Sequence, residues 1–498
     1  MTSLSRQDFD VLVIGGGITG CGVARDAAMR GLEVALVERD DLASGTSGRS
    51  SRLIHGGIRY LEHGQLHLVH ESIRERQTLL RIAPHLVKAL AFTWPIYREA
   101  RVGRMKLSAG LLVYRLMAAG RSRRHLTLNA AETIAREPCL ESAGLTGGAV
   151  YYDACTDDAG LTIANAIAAQ QYGATVVTHT RVTELFHDRG KAIGAVVKPQ
   201  HSNETEQVRA RVIVNATGVW ENNFTTDPRA RRHRGSKGVH IGIPRERVGN
   251  RDALTLISPV DGRVMFCLPA GPQTIIGTTD TWTDESPETV HAATSDVDYL
   301  LRSANAYFPR AQLTRDDVVS AWAGIRPLAS GSSTTPTSVS REHSIVIDRS
   351  GVINVTGGKL TTYRSMAAEI ADLVQRSLGQ ARERAPTDST LLPGAERADE
   401  IARLQKETES LSTRLAEGLP YTGAHLVYGV KAEMAQGLSD LLIRRTHLAF
   451  ETRDHGLSVA ARAPDVVGPL LNWDDATKRA RIHDYERDVG RMFRISKG

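Results

Sequence analysis

The feature that most constrains this chain is a stretch near its start, FDVLVIGGGITGCGVARDAAMRGLEVALVERDDL. Phe9 to Ile14 is a short apolar run with the look of a buried strand. A glycine-rich break follows, then apolar residues at helical spacing, then a second apolar run that ends at Glu38. The spacing is Gly15-x-Gly17-x-x-Gly20, with a carboxylate about 20 residues beyond. Alone the pattern is weak. Here it follows a strand and opens a helix, the context in which the first glycine permits the turn, the second admits a pyrophosphate and the third lets helix and strand pack closely. The pyrophosphate then sits on the outward-pointing N–H groups of the helix N-terminus. Glu38 is placed to accept a ribose hydroxyl, and a carboxylate there argues against the 2′-phosphate of NADP. An unrelated glycine-rich α/β turn is the bland alternative.

NAD and FAD share this fingerprint, so the rest of the chain must decide. GTSGRSSRLIHGGIRYLEHG (residues 45–64) is dense in Ser, Gly and Arg and has no strand period. It offers many donors to a pyrophosphate or a flavin edge, where a plain NAD unit would pass straight to its next strand. Later, RVIVNATGVW gives a strand and a tight turn at Ala216, Thr217 and Gly218. Later still, GVINVTGGKLTTYRSMAAEI gives a strand, a turn at Gly357 and Gly358, and a helix whose N-terminus suits the negative charge that develops on a reduced flavin. In this order the pieces favour FAD.

At 498 residues the chain is too long for one ordinary domain. The reading is an α/β protein with a Rossmann-like FAD-binding domain, an antiparallel-sheet substrate domain and a C-terminal helical domain; the flavin part resembles the D-amino-acid-oxidase and glutathione-reductase type. The oxidoreductase part spans 1–385. Its flavin segments are about 1–95, 150–225 and 320–385, and its substrate or cap segments are about 96–149 and 226–319, including RVMFCLPA and QTIIGTT as strands. After the linker PTDSTLLPG, charged helix-favouring segments fill 386–498. Four scattered cysteines without a CxxC pair fit neither a zinc site nor a disulfide scaffold, so no metal is expected and the compartment is read as reducing. MTSLSRQDFD lacks the apolar core of a signal peptide, and no run of 18 apolar residues occurs. A net charge of +6 suits an anionic substrate or an acidic membrane surface. Aromatics at 5% argue against a stacking nucleic-acid surface, and no nucleic-acid partner is expected.

Seven stretches carry a family resemblance: the glycine loop, SSRLIHGGIRYLEHG (50–64), NATGVW (215–220), KGVHI (237–241), IIGTTD (275–280), GIRPL (324–328) and GGKLTTYR (357–364). In these the chain resembles the FAD-dependent glycerol-3-phosphate dehydrogenases of the aerobic, quinone-linked type, within the wider D-amino-acid-oxidase-like group. The glycine loop is generic; IHGGIRYLEHG and GGKLTTYR are specific. The resemblance implies oxidation of sn-glycerol 3-phosphate to dihydroxyacetone phosphate, with electrons passed to membrane quinone. The flavin contacts it implies are Gly15, Gly17, Gly20, Glu38, Thr46, Ser47, Ser50, Ser51, Leu53, Gly57, Val182, Ala216, Thr217, Gly218, Gly358, Lys359, Leu360 and Thr361.

Such a reaction needs cations for a phosphate dianion, a base for a hydroxyl proton and donors for the developing ketone. Arg59 and Arg326, each in a glycine-flanked apolar motif, are the phosphate candidates, because a guanidinium binds phosphate oxygens as a fork and keeps its charge. Tyr60 offers a hydroxyl, with core packing as the competing role. Lys359, close to flavin and substrate by resemblance, suits an oxyanion. His240 is the candidate base, although most of the 17 histidines are expected to be structural or exposed. His55 is read as packing against the flavin, and Thr278, Thr279 and Asp280 as the floor of the substrate side.

Residues 101–124, RVGRMKLSAGLLVYRLMAAGRSRR, have an apolar centre and basic ends. Leu107, Leu111, Tyr114 and Ala118 share one helical face, read as lying in an anionic membrane surface; a buried cap helix is the alternative. RARRHRGSK (229–237) is a second candidate for lipid head groups, or a surface loop. The location expected is cytoplasmic, with peripheral association at the inner face of the cell membrane, and a homodimer is allowed. Three rivals stand beside this reading. One is a glycerol-3-phosphate oxidase that uses oxygen. Another is an amine or amino-acid oxidase, which needs a carboxylate clamp instead of a phosphate one. The third is a flavin-binding sensor without turnover, against which Arg59, His240, Arg326 and Lys359 argue.

Overall fold

The computed structural model describes residues 4, 8–58, 65–99, 103–117, 125–225, 233–329 and 343–497. Strand β1 (Asp8–Ile14) leads through the glycine loop into helix α1 (Ile18–Met29) and on to strand β2 (Val34–Val37). β1 pairs in parallel with β2 on one side and with the strand Glu206–Asn215 on the other. These strands sit inside an eight-stranded sheet extended by Ile353–Gly357 and Thr175–Val177, with Thr180–Asp188 and Lys191–Pro199 as an antiparallel hairpin at its side. A parallel sheet is covered on both faces, so its strands read as nearly unbroken apolar runs. Val11, Leu12, Val13, Val34, Ala35 and Leu36 are accordingly all buried.

A second sheet of ten strands is mostly antiparallel. It holds His233–Pro244, Val264–Ala270, Gln273–Gly277 and Ser320–Ala329. Two strands from stretches first read as flavin segments also pair here: Val87–Tyr97, and Leu145–Thr156, which reaches into the segment that starts at 150. Ser320–Ala329 joins it as well, against His233–Pro244. The chain thus crosses between the two sheets more often than its periodicity reveals.

The C-terminal part is helical, with Arg397–Glu407, Gly423–Ala432, Ala463–Leu471 and Asp475–Met492 as its main helices. Its apolar side chains, among them Leu441, Phe450 and Tyr485, form one core with Phe92, Tyr151, Leu268 and Trp322 of the ten-stranded sheet. Buried charges complete the seam. Arg445 holds both oxygens of Asp41 at 2.6 and 2.9 Å, and Asp440 accepts from Arg444 at 2.8 Å and from His179 at 3.0 Å. Among the described residues no helix is long and apolar enough to cross a membrane.

Candidate active site

The glycine loop opens one end of a cavity of about 690 Å³ that runs from the α1 N-terminus to the ten-stranded sheet. Gly15 turns at φ +110°, and a Cβ there would lie 2.7 Å from the Ala216 carbonyl oxygen. Gly17 is the N-cap of α1 and has no side chain to cap it; the Ile18 N–H donates instead to the Ser47 hydroxyl at 3.0 Å. Glu38 accepts from the Gly16 N–H at 2.6 Å and from the Asp40 N–H at 2.8 Å, which pins the loop to the end of β2. Each carboxylate oxygen keeps a lone pair for a further donor. Burial pushes the Glu38 pKa up, while these two N–H groups act against that rise.

Of the sequence-derived flavin contacts, Gly15, Gly17, Glu38, Thr46, Ser47, Ser50, Ser51, Leu53, Gly57, Val182, Ala216, Thr217, Gly218, Gly358, Lys359, Leu360 and Thr361 all line this cavity. Gly20 does not. A Cβ on it would fall 1.9 Å from the Gly15 carbonyl oxygen, so its part is close packing beneath the loop. Two hydroxyls are also committed to the protein: Ser50 donates to Asp158 at 2.6 Å and Thr46 to the Ile325 carbonyl at 2.8 Å. These bonds fix the 45–52 loop between the two sheets.

The same cavity is also lined by His55, His240, Thr278, Asp280, Arg326 and Lys359. Arg326 donates to Asp280 at 3.3 Å and to the Thr278 hydroxyl at 3.2 Å. Gly238 leaves it room, since a Cβ there would sit 2.6 Å from its Nη2. Asp280 also accepts from the Ser236 hydroxyl. Thr279, read as part of the floor, lies outside the cavity; it is buried and its hydroxyl accepts from the Val239 N–H at 2.9 Å. Arg59 and Tyr60 fall outside the described residues.

His240 is buried and stacks on Trp322. Its Nε2 lies 2.8 Å from the Ser51 hydroxyl. Burial first, then the positive charges of Arg326 and Arg52, lower its pKa to about 3. The ring is therefore neutral at physiological pH, with a lone pair on one nitrogen.

Three cavity features escaped the sequence reading. Arg263 lines the substrate end and donates to the Asp280 carbonyl at 2.7 Å. It stands directly before an apolar strand, and its position there was the available signal. At the other end the Arg39 guanidinium lies 4.4 Å above the Trp220 ring, and Glu288 accepts from Arg39 at 3.2 Å and from the Trp220 indole N–H. Phe92, Trp94, Tyr151 and Phe266 form an apolar wall. Their strands are far apart in sequence and meet only in the sheet.

The helix Arg104–Met117 shows that the face chosen from the sequence was the wrong one. Leu107, Leu111 and Tyr114 are buried against the protein, and Tyr114 donates to Asp153 at 2.7 Å. The apolar side chains left outside are Met105, Leu112, Val113 and Leu116. Ala118 and the flanking basic residues Arg101, Arg121, Arg123 and Arg124 lie outside the described residues. Of the 229–237 run, Lys237 pairs inward with Glu285 at 2.9 Å and Asp296 at 3.2 Å.

A glycine cradle on a parallel sheet, joined by one cavity to a cationic pocket on an antiparallel sheet, defines a flavin-dependent oxidoreductase. Comparison with known proteins agrees. Residues 10–373 match the family model of FAD dependent oxidoreductases, and residues 395–478 match the C-terminal domain of alpha-glycerophosphate oxidase. The chain is 38% identical to the aerobic glycerol-3-phosphate dehydrogenase of Bacillus subtilis, over 98% of this chain and 96% of that one. It is 34% identical to the enzyme of the same name from Staphylococcus saprophyticus, over 96% and 93%. The solved glycerol-3-phosphate dehydrogenase of Bacillus halodurans, complexed with FAD, superposes with a TM-score of 0.78 at 30% identity, over 99% of this chain and 97% of that one. The chain belongs to the FAD-dependent glycerol-3-phosphate dehydrogenase family. The L-alpha-glycerophosphate oxidase of Mycoplasma pneumoniae shares the fold at a TM-score of 0.58 and 18% identity, over 78% of this chain.

Proposed function

We propose that this protein oxidises the C2 hydroxyl of sn-glycerol 3-phosphate to the ketone of dihydroxyacetone phosphate and passes the electrons to membrane quinone. The observation that carries the reading is the single cavity that joins the glycine cradle to Arg326, Arg263, Lys359 and His240. The cradle fits FAD, because its glycines leave space a side chain would fill and the α1 N-terminus faces the same space. When bound, FAD supplies the hydride acceptor. Arg326 and Arg263 hold the phosphate dianion, and Asp280 and Thr278 keep the Arg326 fork in one orientation. The sequence offers Arg59 as a further cation for the phosphate and Tyr60 as a hydroxyl donor, both outside the described residues. Lys359 balances negative charge near the reacting carbon, and His240 takes the hydroxyl proton. A bound dianion offsets the charge of Arg326, which raises the basicity of His240 where it is needed. The flavin part and the substrate part together make the unit up to about 385, and the helices of 386–498 form the C-terminal domain, which packs on the ten-stranded sheet.

Association with a membrane surface is supported by the outward side chains of the helix Arg104–Met117. Met105 is 88% and Leu116 69% exposed, far beyond what packing requires. The inner face of this helix reaches the site, since Asp153, which accepts from Tyr114, lines the cavity and also accepts from the Gly56 N–H at 3.1 Å.

The test is anaerobic. The purified yellow protein is mixed with sn-glycerol 3-phosphate and the flavin absorbance followed. Bleaching with formation of dihydroxyacetone phosphate, then reoxidation by a soluble quinone analogue faster than by oxygen, is the expected result. A flavin that bleaches only with an amino acid overturns the substrate assignment. Fast hydrogen peroxide formation on exposure to air overturns the quinone assignment.

A further inference from the structure

We propose that Phe450, from the C-terminal domain, is a positioning residue of the substrate site that holds His240 in its working orientation through Trp322 and through Arg52 and Ser51. The inference rests on the reading of His240 as the group that accepts the hydroxyl proton.

His240 carries one nitrogen contact, the Ser51 hydroxyl at Nε2; its buried Nδ1 has no hydrogen-bond partner among the described residues. A histidine that moves protons is commonly oriented by a hydrogen bond at its second nitrogen. Without one, a ring held at a single point can swing about that bond unless its faces are packed. Here they are. His240 and Trp322 lie opposite each other in the antiparallel register of His233–Pro244 and Ser320–Ala329, and their rings stack at 5.4 Å and 16°. On the opposing strand Gly277 approaches so closely that a Cβ would come within 2.3 Å of the His240 Cδ2.

Trp322 is itself backed by Phe450, edge-on at 5.0 Å and 84°. Phe450 belongs to the short helix Leu448–Glu451 and is 3% exposed. Its carbonyl accepts from the Gln273 amide at 2.8 Å, and Phe493 meets its ring edge-on at 5.1 Å. The second route runs through Arg52, whose guanidinium lies 4.7 Å over the Phe450 ring. Arg52 holds a φ of +55° and is the residue next to Ser51. One C-terminal side chain therefore supports both the face of the imidazole and the backbone that carries its hydrogen-bond partner at Nε2.

The test uses the FAD-loaded full chain and follows flavin reduction by sn-glycerol 3-phosphate under anaerobic stopped flow. Phe450→Leu keeps apolar bulk and removes the ring. The limiting reduction rate is expected to fall about tenfold or more, as a displaced proton acceptor does, while the substrate dissociation constant from the same saturation curve stays within about twofold. The FAD absorbance per protein stays at the wild-type value, and Phe450→Tyr, which keeps the ring, recovers most of the rate. In a His240→Asn background Phe450→Leu costs nothing further, because a residue that acts through His240 loses its effect when His240 is gone. Should Phe450→Leu fail to fold, Phe450→Met carries the same expectations. A wild-type reduction rate in the leucine variant overturns the proposal. So does an equal loss in the His240→Asn background, or a change confined to substrate binding. If His240→Asn alone reduces its flavin at the wild-type rate, the proton-acceptor reading fails and the positioning role fails with it. If His240→Asn is slow but Phe450→Leu is normal, only the positioning role fails.

Discussion

At the residue scale, the motif around His240 shows how a glycine can be needed for its neighbour's charge. Gly238 sits beneath the guanidinium of Arg326, and any side chain there must push that fork off Asp280 and Thr278. Gly238→Ala is expected to raise the KM for sn-glycerol 3-phosphate roughly 10- to 100-fold, the worth of one or two misplaced charge-assisted hydrogen bonds. The flavin content should not change, and steady-state kinetics with an absorbance ratio checks both. His240 supports a second expectation. Its pKa of about 3 in the unliganded protein means that protonation of this ring gives no acid limb to kcat/KM between pH 5 and 8. An acid limb near pH 6 belongs to the second ionisation of the substrate phosphate, so it should survive in His240→Asn, and its disappearance there would contradict the buried neutral ring. His240, Arg326 and Lys359 were legible as single residues because glycines and apolar neighbours set them apart. Arg263 was not, because it reads as the polar cap of an ordinary strand until the fold brings it to Asp280.

At the scale of elements, the helix Arg104–Met117 was legible as a helix and misread in direction. Apolar residues lie on more than one side of it, so its period alone cannot say which side the protein covers. The structure buries Leu107, Leu111 and Tyr114, whose hydroxyl meets Asp153, and leaves Met105, Leu112, Val113 and Leu116 outside. A buried polar anchor decides the matter, and only the folded partner strand supplies it. Replacement of Met105 and Leu116 by Ser should lower partition into vesicles containing anionic lipid by about tenfold or more, given ~1.5–3 kcal/mol for each large apolar side chain moved out of water. Activity in solution with a soluble acceptor should stay as it was. Flotation assays provide the measurement, and unchanged partition would move the membrane contact to another surface.

At the scale of the molecule, the boundary at about 386 was legible from composition, while the way the C-terminal helices dock was not. Their attachment depends on charges far apart in sequence: Asp41 just beyond β2, His179 before the hairpin, and Asp440, Arg444 and Arg445 in the C-terminal part. Asp440 and Asp41 raise the His179 pKa from 6.5 to about 9 against the opposing effect of burial. The folded protein therefore binds this proton more tightly than the unfolded chain does. The stabilisation is complete below pH 6.5, declines as the pH climbs from 6.5 towards 9, and is gone above that. The melting temperature of the FAD-loaded protein should accordingly fall across this window. His179→Asn, which removes the titrating group, should show a flatter profile and a lower melting temperature at pH 6. Arg445→Ala should be worse at every pH, because it takes from the fully buried Asp41 its bidentate partner and leaves the carboxylate paired with Arg444, a loss of up to about 3 kcal/mol. Thermal unfolding monitored by flavin fluorescence separates the two variants. A pH-independent difference between wild type and His179→Asn would show that the interface is held by shape and by the arginines, with no contribution from the histidine proton.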